Sequence, residues 1–114
     1  MSVALDKIDS KNPANFELLG SVIASSPDDI KKAVLAAKSA QPSWQALGVT
    51  GRIKELQKLF TYLSQQHEQY AQLETKEMGR PIQGSRSSID WALNQFKWNL
   101  ENAAVFLSPE TSFD

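Results

Sequence analysis

Residues 87–104 read SSIDWALNQFKWNLENAA, and the way their apolar positions fall around a helix decides what fold this chain can make. Ile89, Leu93, Phe96, Leu100 and, just beyond the stretch, Leu107 recur at spacings of four, three, four and seven, with Ala103 and Ala104 beside them. At about 100° per residue these positions form one core-facing stripe. Trp91, Trp98 and Val105, each seven apart, fall about 180° from it. Asp90, Lys97 and Glu101 occupy one flank between the two faces, and Gln95, Asn99 and Asn102 the other. A helix that is apolar front and back needs cover on both sides. Leaving one tryptophan in water forgoes about 2–3 kcal/mol of burial. Either an N-terminal hairpin folds back over the tryptophan face, or the surface that covers it lies outside this chain. A short hairpin offers little apolar area for that task.

Working backwards, residues 79–86 read GRPIQGSR, with Gly79 and Gly84 spaced as in a phosphate-cradling loop. Such a loop is G-x-x-x-x-G-K-[ST], entered from a buried strand. Here Ser85-Arg86 stands where Lys-Ser/Thr belongs, and Pro81 removes a backbone N–H donor from the cradle. The preceding HEQYAQLETKEM has a helix composition rather than a strand composition. The stretch therefore reads as punctuation: a helix stop at Gly79, then a new helix from roughly Pro81 or Ser85 to Leu107, with Pro81 in its first turn.

Before it, Ile53, Leu56, Leu59, Phe60 and Leu63 mark one side of a helix that begins near Val49, with Lys54, Glu55, Gln57 and Lys58 largely on the other side. The polar patch SQQHEQ breaks or bends this helix, and a third runs on through Tyr70, Leu73 and Met78. His67, the only histidine, has no acid, nucleophile or metal partner near it in sequence, so it reads as a solvent-facing helix-end residue rather than a base. Glu74 and Glu77 read as ordinary helix-end carboxylates.

SSPDDIKKAVLAAKSA opens the first helix, with Ser26 as N-cap, Pro27 in the first helical position and Asp28-Asp29 at the positive end of the dipole. Ile30, Ala33, Val34 and Ala37 form a narrow stripe of small side chains that allows close approach by a helix or sheet. The helix is expected to end near Gln41-Pro42, leaving PSWQALG as a connector that tucks in Trp44 and Leu47. Further upstream, Leu5 and Ile8 precede the turn signal Asn12-Pro13-Ala14-Asn15, and Leu18, Leu19, Val22 and Ile23 follow it, which predicts a hairpin.

The predicted fold class is therefore α+β and mostly helical. A β-hairpin over about 4–24 precedes about four helices over 27–107 and a polar, frayed tail over 108–114, all within a single incomplete domain. The 114 residues are too few for two cores. A net charge of −1, without a basic stripe or charge run, gives no field that favours nucleic acid or an anionic membrane. The N-terminus lacks the basic start and apolar core of a secretory signal, and no apolar run reaches spanning length. Zero cysteines exclude disulfides, thiolate metal sites and a cysteine nucleophile within these residues, and fit a cytoplasmic chain.

Taken in order, NPANFELLGSV, SSPDDIKKAVLAAKSAQPSW, Arg52 within TGRIKELQKLFTYL, LETKEMGRPI and SSIDWALNQFKWNLENAA resemble the N-terminal segment of the NAD(P)-dependent aldehyde dehydrogenase superfamily. The resemblance runs from about Asp6 to Glu110, and Glu77, Gly79, Arg80 and Pro81 match the family's Glu-x-Gly-Lys/Arg-Pro helix junction. It is similar in particular to openings found among succinate-semialdehyde and related aliphatic aldehyde dehydrogenases. The resemblance implies the opening part of a Rossmann-type cofactor domain without its parallel sheet. It also implies a full-length reaction in which a cysteine thiolate attacks the aldehyde, hydride passes to NAD or NADP, and a glutamate base releases the acid. Those catalytic and cofactor-binding residues lie beyond the matched region. No catalytic, cofactor-binding or metal residue is therefore assigned here, and no cofactor is expected to bind this chain. The partner expected at Trp91, Trp98 and Val105 is a second copy of this chain, in a helical self-association or partner-binding module, or the missing remainder of such an enzyme.

Overall fold

The computed structural model describes residues 6–110, a two-stranded antiparallel hairpin followed by four helices. Leu5 and the tail residues 111–114 lie outside the described residues. The hairpin pairs β1 (Lys7–Lys11) with β2 (Leu18–Ile23), from Lys7 opposite Ile23 to Lys11 opposite Leu18. The register shifts between Ser10 and Lys11, where Gly20 and Leu18 are the successive partners. Leu19 is therefore the extra residue of a bulge. Asn12 shapes the turn: its side-chain oxygen accepts from the Ala14 N–H at 2.9 Å, and its carbonyl accepts from the Phe16 N–H at 2.7 Å.

Helix α1 (Pro27–Ala46) starts as expected. The Ser26 hydroxyl accepts from the Asp29 N–H at 3.2 Å, while the Asp29 carboxylate accepts from the Ser26 N–H at 3.0 Å, forming a capping box. The Ser26 hydroxyl, which also donates to the Asp29 carboxylate at 2.7 Å, and the Ser26 N–H together hold the Asp29 carboxyl below its ordinary range. The predicted end at Gln41-Pro42 is wrong. The helix runs through Pro42 to Ala46, so PSWQALG is mostly helix and not a connector. Pro42 cannot donate to the Lys38 carbonyl, but on an exposed helix water takes that acceptor, which lowers the cost of an interior proline. Trp44 and Leu47 are consequently not tucked in; they are 40% and 45% exposed.

Helix α2 (Gly48–Gln65) and α3 (His67–Met78) are separated by a single break at Gln66, within the predicted polar patch. Gly79 ends α3 in the left-handed region, with φ of 72°, and its N–H donates to the Thr75 carbonyl at 2.9 Å. Helix α4 spans Ile82–Phe106. Pro81 is its N-cap, with extended ψ of 141°, rather than its first helical residue.

The packing is uneven. Helix α4 lies against α2 and α3, with Phe96 meeting Phe60 edge-on at 5.8 Å between ring centroids. Ala71, Ser85 and Leu100 are the buried residues among those described. Ile89, Leu93 and Phe96 are half-buried on the same stripe, whereas Ala104 is exposed and Leu107 is 62% exposed. The predicted core stripe thins beyond Leu100, where Ala103 and Leu107 only edge an open hollow shared with Trp44 and the first turns of α2. Helix α1 buries no residue. The radius of gyration is 19.7 Å, against about 13 Å for a compact chain of this length.

Candidate functional site

Two features bear on function: the α3–α4 corner with the groove beside it, and the outer face of α4. At the corner, Gly79 is held close to the hairpin turn. A Cβ placed on it would sit 2.8 Å from Cγ of Pro13, so this contact needs a glycine for space as well as for its positive φ. The Ser10 hydroxyl donates to Glu77 Oε1 at 2.8 Å, which fixes the hairpin against the last turn of α3. Arg80 reaches back to donate to Glu74 Oε1 at 2.8 Å. Its guanidinium passes over Gly84, where a Cβ would lie 3.2 Å from Nε. Glu74 and Glu77 are thus structural anchors of the corner, each with a named donor.

Ser85 and Arg86, which stand where a phosphate loop has its Lys-Ser/Thr pair, are occupied otherwise. Ser85 is fully buried and its hydroxyl accepts from Thr75 at 2.9 Å. Arg86 makes a two-pronged contact with Glu68, Nε and one terminal nitrogen donating at 2.9 and 2.7 Å. That pairing, aided by Gln72, holds the Glu68 carboxyl down to about 2 and raises the Arg86 guanidinium above its usual value. Gly84 lies inside α4 rather than in a loop. With the hydroxyl sealed and the cation engaged, this corner does not fit a dinucleotide's phosphates.

His67 departs from its solvent-facing reading. Its side chain is 27% exposed, and Nε2 lies 2.8 Å from Asp90 Oδ1. The approach does not meet hydrogen-bond geometry, so the pair is an ion contact when the imidazole is protonated and not an oriented acid–base couple. Sequence inspection missed this neighbour because Asp90 arrives from the next helix. Among the described residues, no three His, Asp or Glu side chains converge as a metal site would require. No helix among them is long and apolar enough to cross a membrane.

Beside the corner runs a groove of about 530 Å³ between α2, α3 and α4, lined chiefly by Leu63, Tyr70, Leu73, Met78, Leu93 and Phe96. On the opposite side, Trp91 is 69% exposed, Trp98 48% and Val105 70%. The hairpin does not fold back over them; it docks at Gly79 and Glu77 instead. Phe106 approaches the outer indoles at one point, 5.7 Å from the Trp98 ring centroid. Both faces of α4 that bracket its narrow packed edge thus carry apolar surface that the other described residues leave uncovered.

Comparison with known proteins places the chain in a family. The sequence pattern of the aldehyde dehydrogenase family matches residues 1–112. This chain belongs to the aldehyde dehydrogenase family. It is 33% identical over 96 residues to succinate-semialdehyde dehydrogenase (NADP(+)) GabD of Escherichia coli strain K12, a match that covers 84% of this chain and 20% of that protein. Betaine aldehyde dehydrogenase 1 of Rhizobium meliloti strain 1021 is 37% identical over 76 residues, 67% of this chain and 16% of the relative. Glutarate-semialdehyde dehydrogenase of Pseudomonas aeruginosa PAO1 is 32% identical over 92 residues, 81% of this chain and 19% of the relative. The chain therefore spans about a fifth of the length of the curated relatives it matches.

Proposed function

We propose that this chain supplies the opening part of the cofactor domain of an NAD(P)-dependent aldehyde dehydrogenase, in the manner of its family, and that it is not catalytic by itself. The observation that carries the reading is the family match over residues 1–112, reached with about a fifth of a relative's length. The geometry supports it from a second direction. The groove beside α3 and the tryptophan face of α4 are the surfaces that a Rossmann-type sheet and its helices would cover in a longer chain. Two of these relatives carry semialdehyde dehydrogenase names, which favours an aliphatic aldehyde with a carboxyl group at its other end as the substrate of the complete enzyme. The chain's own residues perform scaffolding: Gly79, Arg80 and Glu74 fix the α3–α4 corner, and Ser10 and Pro13 seat the hairpin on it.

A cysteine thiolate is the family's nucleophile, and the 114 residues contain none. The test is aldehyde-dependent reduction of NAD or NADP by the purified chain, followed at the nicotinamide absorbance with succinate semialdehyde. No turnover above the buffer rate is expected. Sustained turnover by this chain alone would overturn the reading.

A second reading has its own support: the exposure of Trp91, Trp98 and Val105 makes α4 a surface for another polypeptide. It excludes the first at this face, which can serve either neighbour but not both at once.

A further inference from the structure

Where α1, α2 and α4 come together, an apolar hollow of about 160 Å³ lies open. Trp44 of α1, Ile53 and Leu56 of α2, and Ala103 and Leu107 of α4 line it together with Arg52. A cavity of about 150 Å³ takes one benzene ring, so this hollow accommodates one large apolar side chain. Arg52 is half-buried in its wall. The Arg52 Nε donates to the Gly48 carbonyl at 3.1 Å, and the terminal nitrogens have no acceptor among the described residues. Arg80 and Arg86, by contrast, are each paired with a carboxylate, Glu74 and Glu68. Glu55, one turn along α2 from Arg52, is taken by Lys58, whose ammonium donates to its two oxygens at 2.7 and 2.6 Å. A half-buried guanidinium with two donors to spare fits the paired oxygens of a carboxylate.

Two observations bear on what fills the hollow. The last turns of α4 form one of its walls, so the chain that follows the helix sets out beside it. The curated relatives are about five times as long as the stretch they share with this chain. The hairpin does not reach the hollow, being tied to the opposite end of α4 through Gly79 and Glu77.

The geometry points to a wedge from the later part of the complete enzyme's own chain: a large apolar side chain seated in the hollow, with a neighbouring aspartate or glutamate paired to Arg52. This rests on the function proposed above and adds to it the chemistry of one contact and its consequence. Helix α1 buries no residue by itself. The wedge fastens its Trp44 end to α2 and α4.

3-Phenylpropionate, one ring and one carboxylate, stands in for the wedge, and 3-phenylpropanamide has the same shape without the charge. Titrated into this chain, the acid is expected to shift the Trp44 indole N–H and Arg52 Nε–H resonances and to bind about tenfold more tightly than the amide. Arg52→Gln is expected to bring the acid down to the amide's affinity with helical circular dichroism unchanged. Should that variant lose helicity, the difference between acid and amide on the unaltered chain makes the same test. The source of the wedge is tested in a complete enzyme, made by exchanging the matching stretch of the Escherichia coli succinate-semialdehyde relative for this chain's. There the wedge fills the hollow, and the acid is expected to show no binding that Arg52→Gln removes. If the full exchange does not fold, a graft of residues 43–56 alone asks the same question. Equal affinity for acid and amide, shifts confined to the groove between α2, α3 and α4, or no shift at the solubility limit would each overturn the wedge while the proposed function stands. Binding through Arg52 that persists in the complete enzyme overturns it too. Turnover by this chain alone overturns the proposed function instead, whatever the comparison of acid and amide reads.

Discussion

Helices α1 and α4 are both long, both begin at a proline-marked turn, and both carry an apolar stripe, yet one is packed and the other is bare. Helix α4 leaves the Gly79-Arg80-Pro81 corner and returns along α3 and α2, so its Phe96 and Leu100 meet neighbours. Helix α1 passes into α2 through Gly48, whose φ is 64°, and buries nothing over its length. Its stripe of Ile30, Ala33, Val34 and Ala37 offers mainly methyl groups, which gain little from each contact. An amphipathic pattern thus states what a helix can bury. The connection decides whether anything in the same chain is there to bury it against.

That contrast can be broken at several points. The largest effect is expected at Leu100, which is 7% exposed where α4 meets its neighbours. Leu100→Ala should cost about 2–4 kcal/mol in urea unfolding and weaken α2, α3 and α4 together. Next is Gly79→Ala. The left-handed backbone costs a residue with a Cβ about 1–2 kcal/mol, and that Cβ would also press on Pro13. Chemical shifts of the hairpin should move with it, while those of α1 stay put. Ser26→Ala removes the N-cap of α1 and should cost about 1 kcal/mol of helix stability, visible in α1 amides and absent from the unfolding midpoint of the other helices. A matching fall in that midpoint would mean α1 is coupled to the packed region after all.

The smallest effect is the acid response of the Glu68–Arg86 pair. Glu68 is held at about 2 in the folded chain against an ordinary value of 4.5, so it binds a proton more readily when unfolded. Its contribution to stability is therefore complete above pH 4.5 and is lost as the pH falls from there towards 2. The pair is solvent-exposed, so the change should be slight. Glu68→Gln should flatten the stability profile in that window; an unchanged slope would show that other carboxylates carry the acid response.

Much of this was legible from residue order. Turn chemistry at Asn12-Pro13, the Ser26 cap, the Gly79 stop and the two faces of α4 all depend on neighbours within a few positions, and each appears where its local signal lies. The tryptophan face in particular is uncovered, as its opposition to the Leu100 stripe implied. Three readings failed for want of longer-range information. Pro42 usually ends a helix, but the exposed surroundings of α1 let the helix continue through it. Leu107 fits the core stripe by angle, but it only edges an open hollow beside the first turns of α2 and stays exposed. His67 meets Asp90, and Ser10 meets Glu77, across gaps in sequence that periodicity cannot bridge. The corner itself was identified by its glycine and proline, but its contact with the hairpin required coordinates.

Amide hydrogen exchange, resolved residue by residue on the intact chain, tests the contrast between the two long helices most directly. The packing predicts slow exchange in α4 around Leu100 and in the facing turns of α2 and α3, with α1 exchanging at nearly the rate of an isolated helix. Protection of the α1 amides equal to that of α4 would contradict it, because α1 would then have to be held by contacts that this fold does not contain.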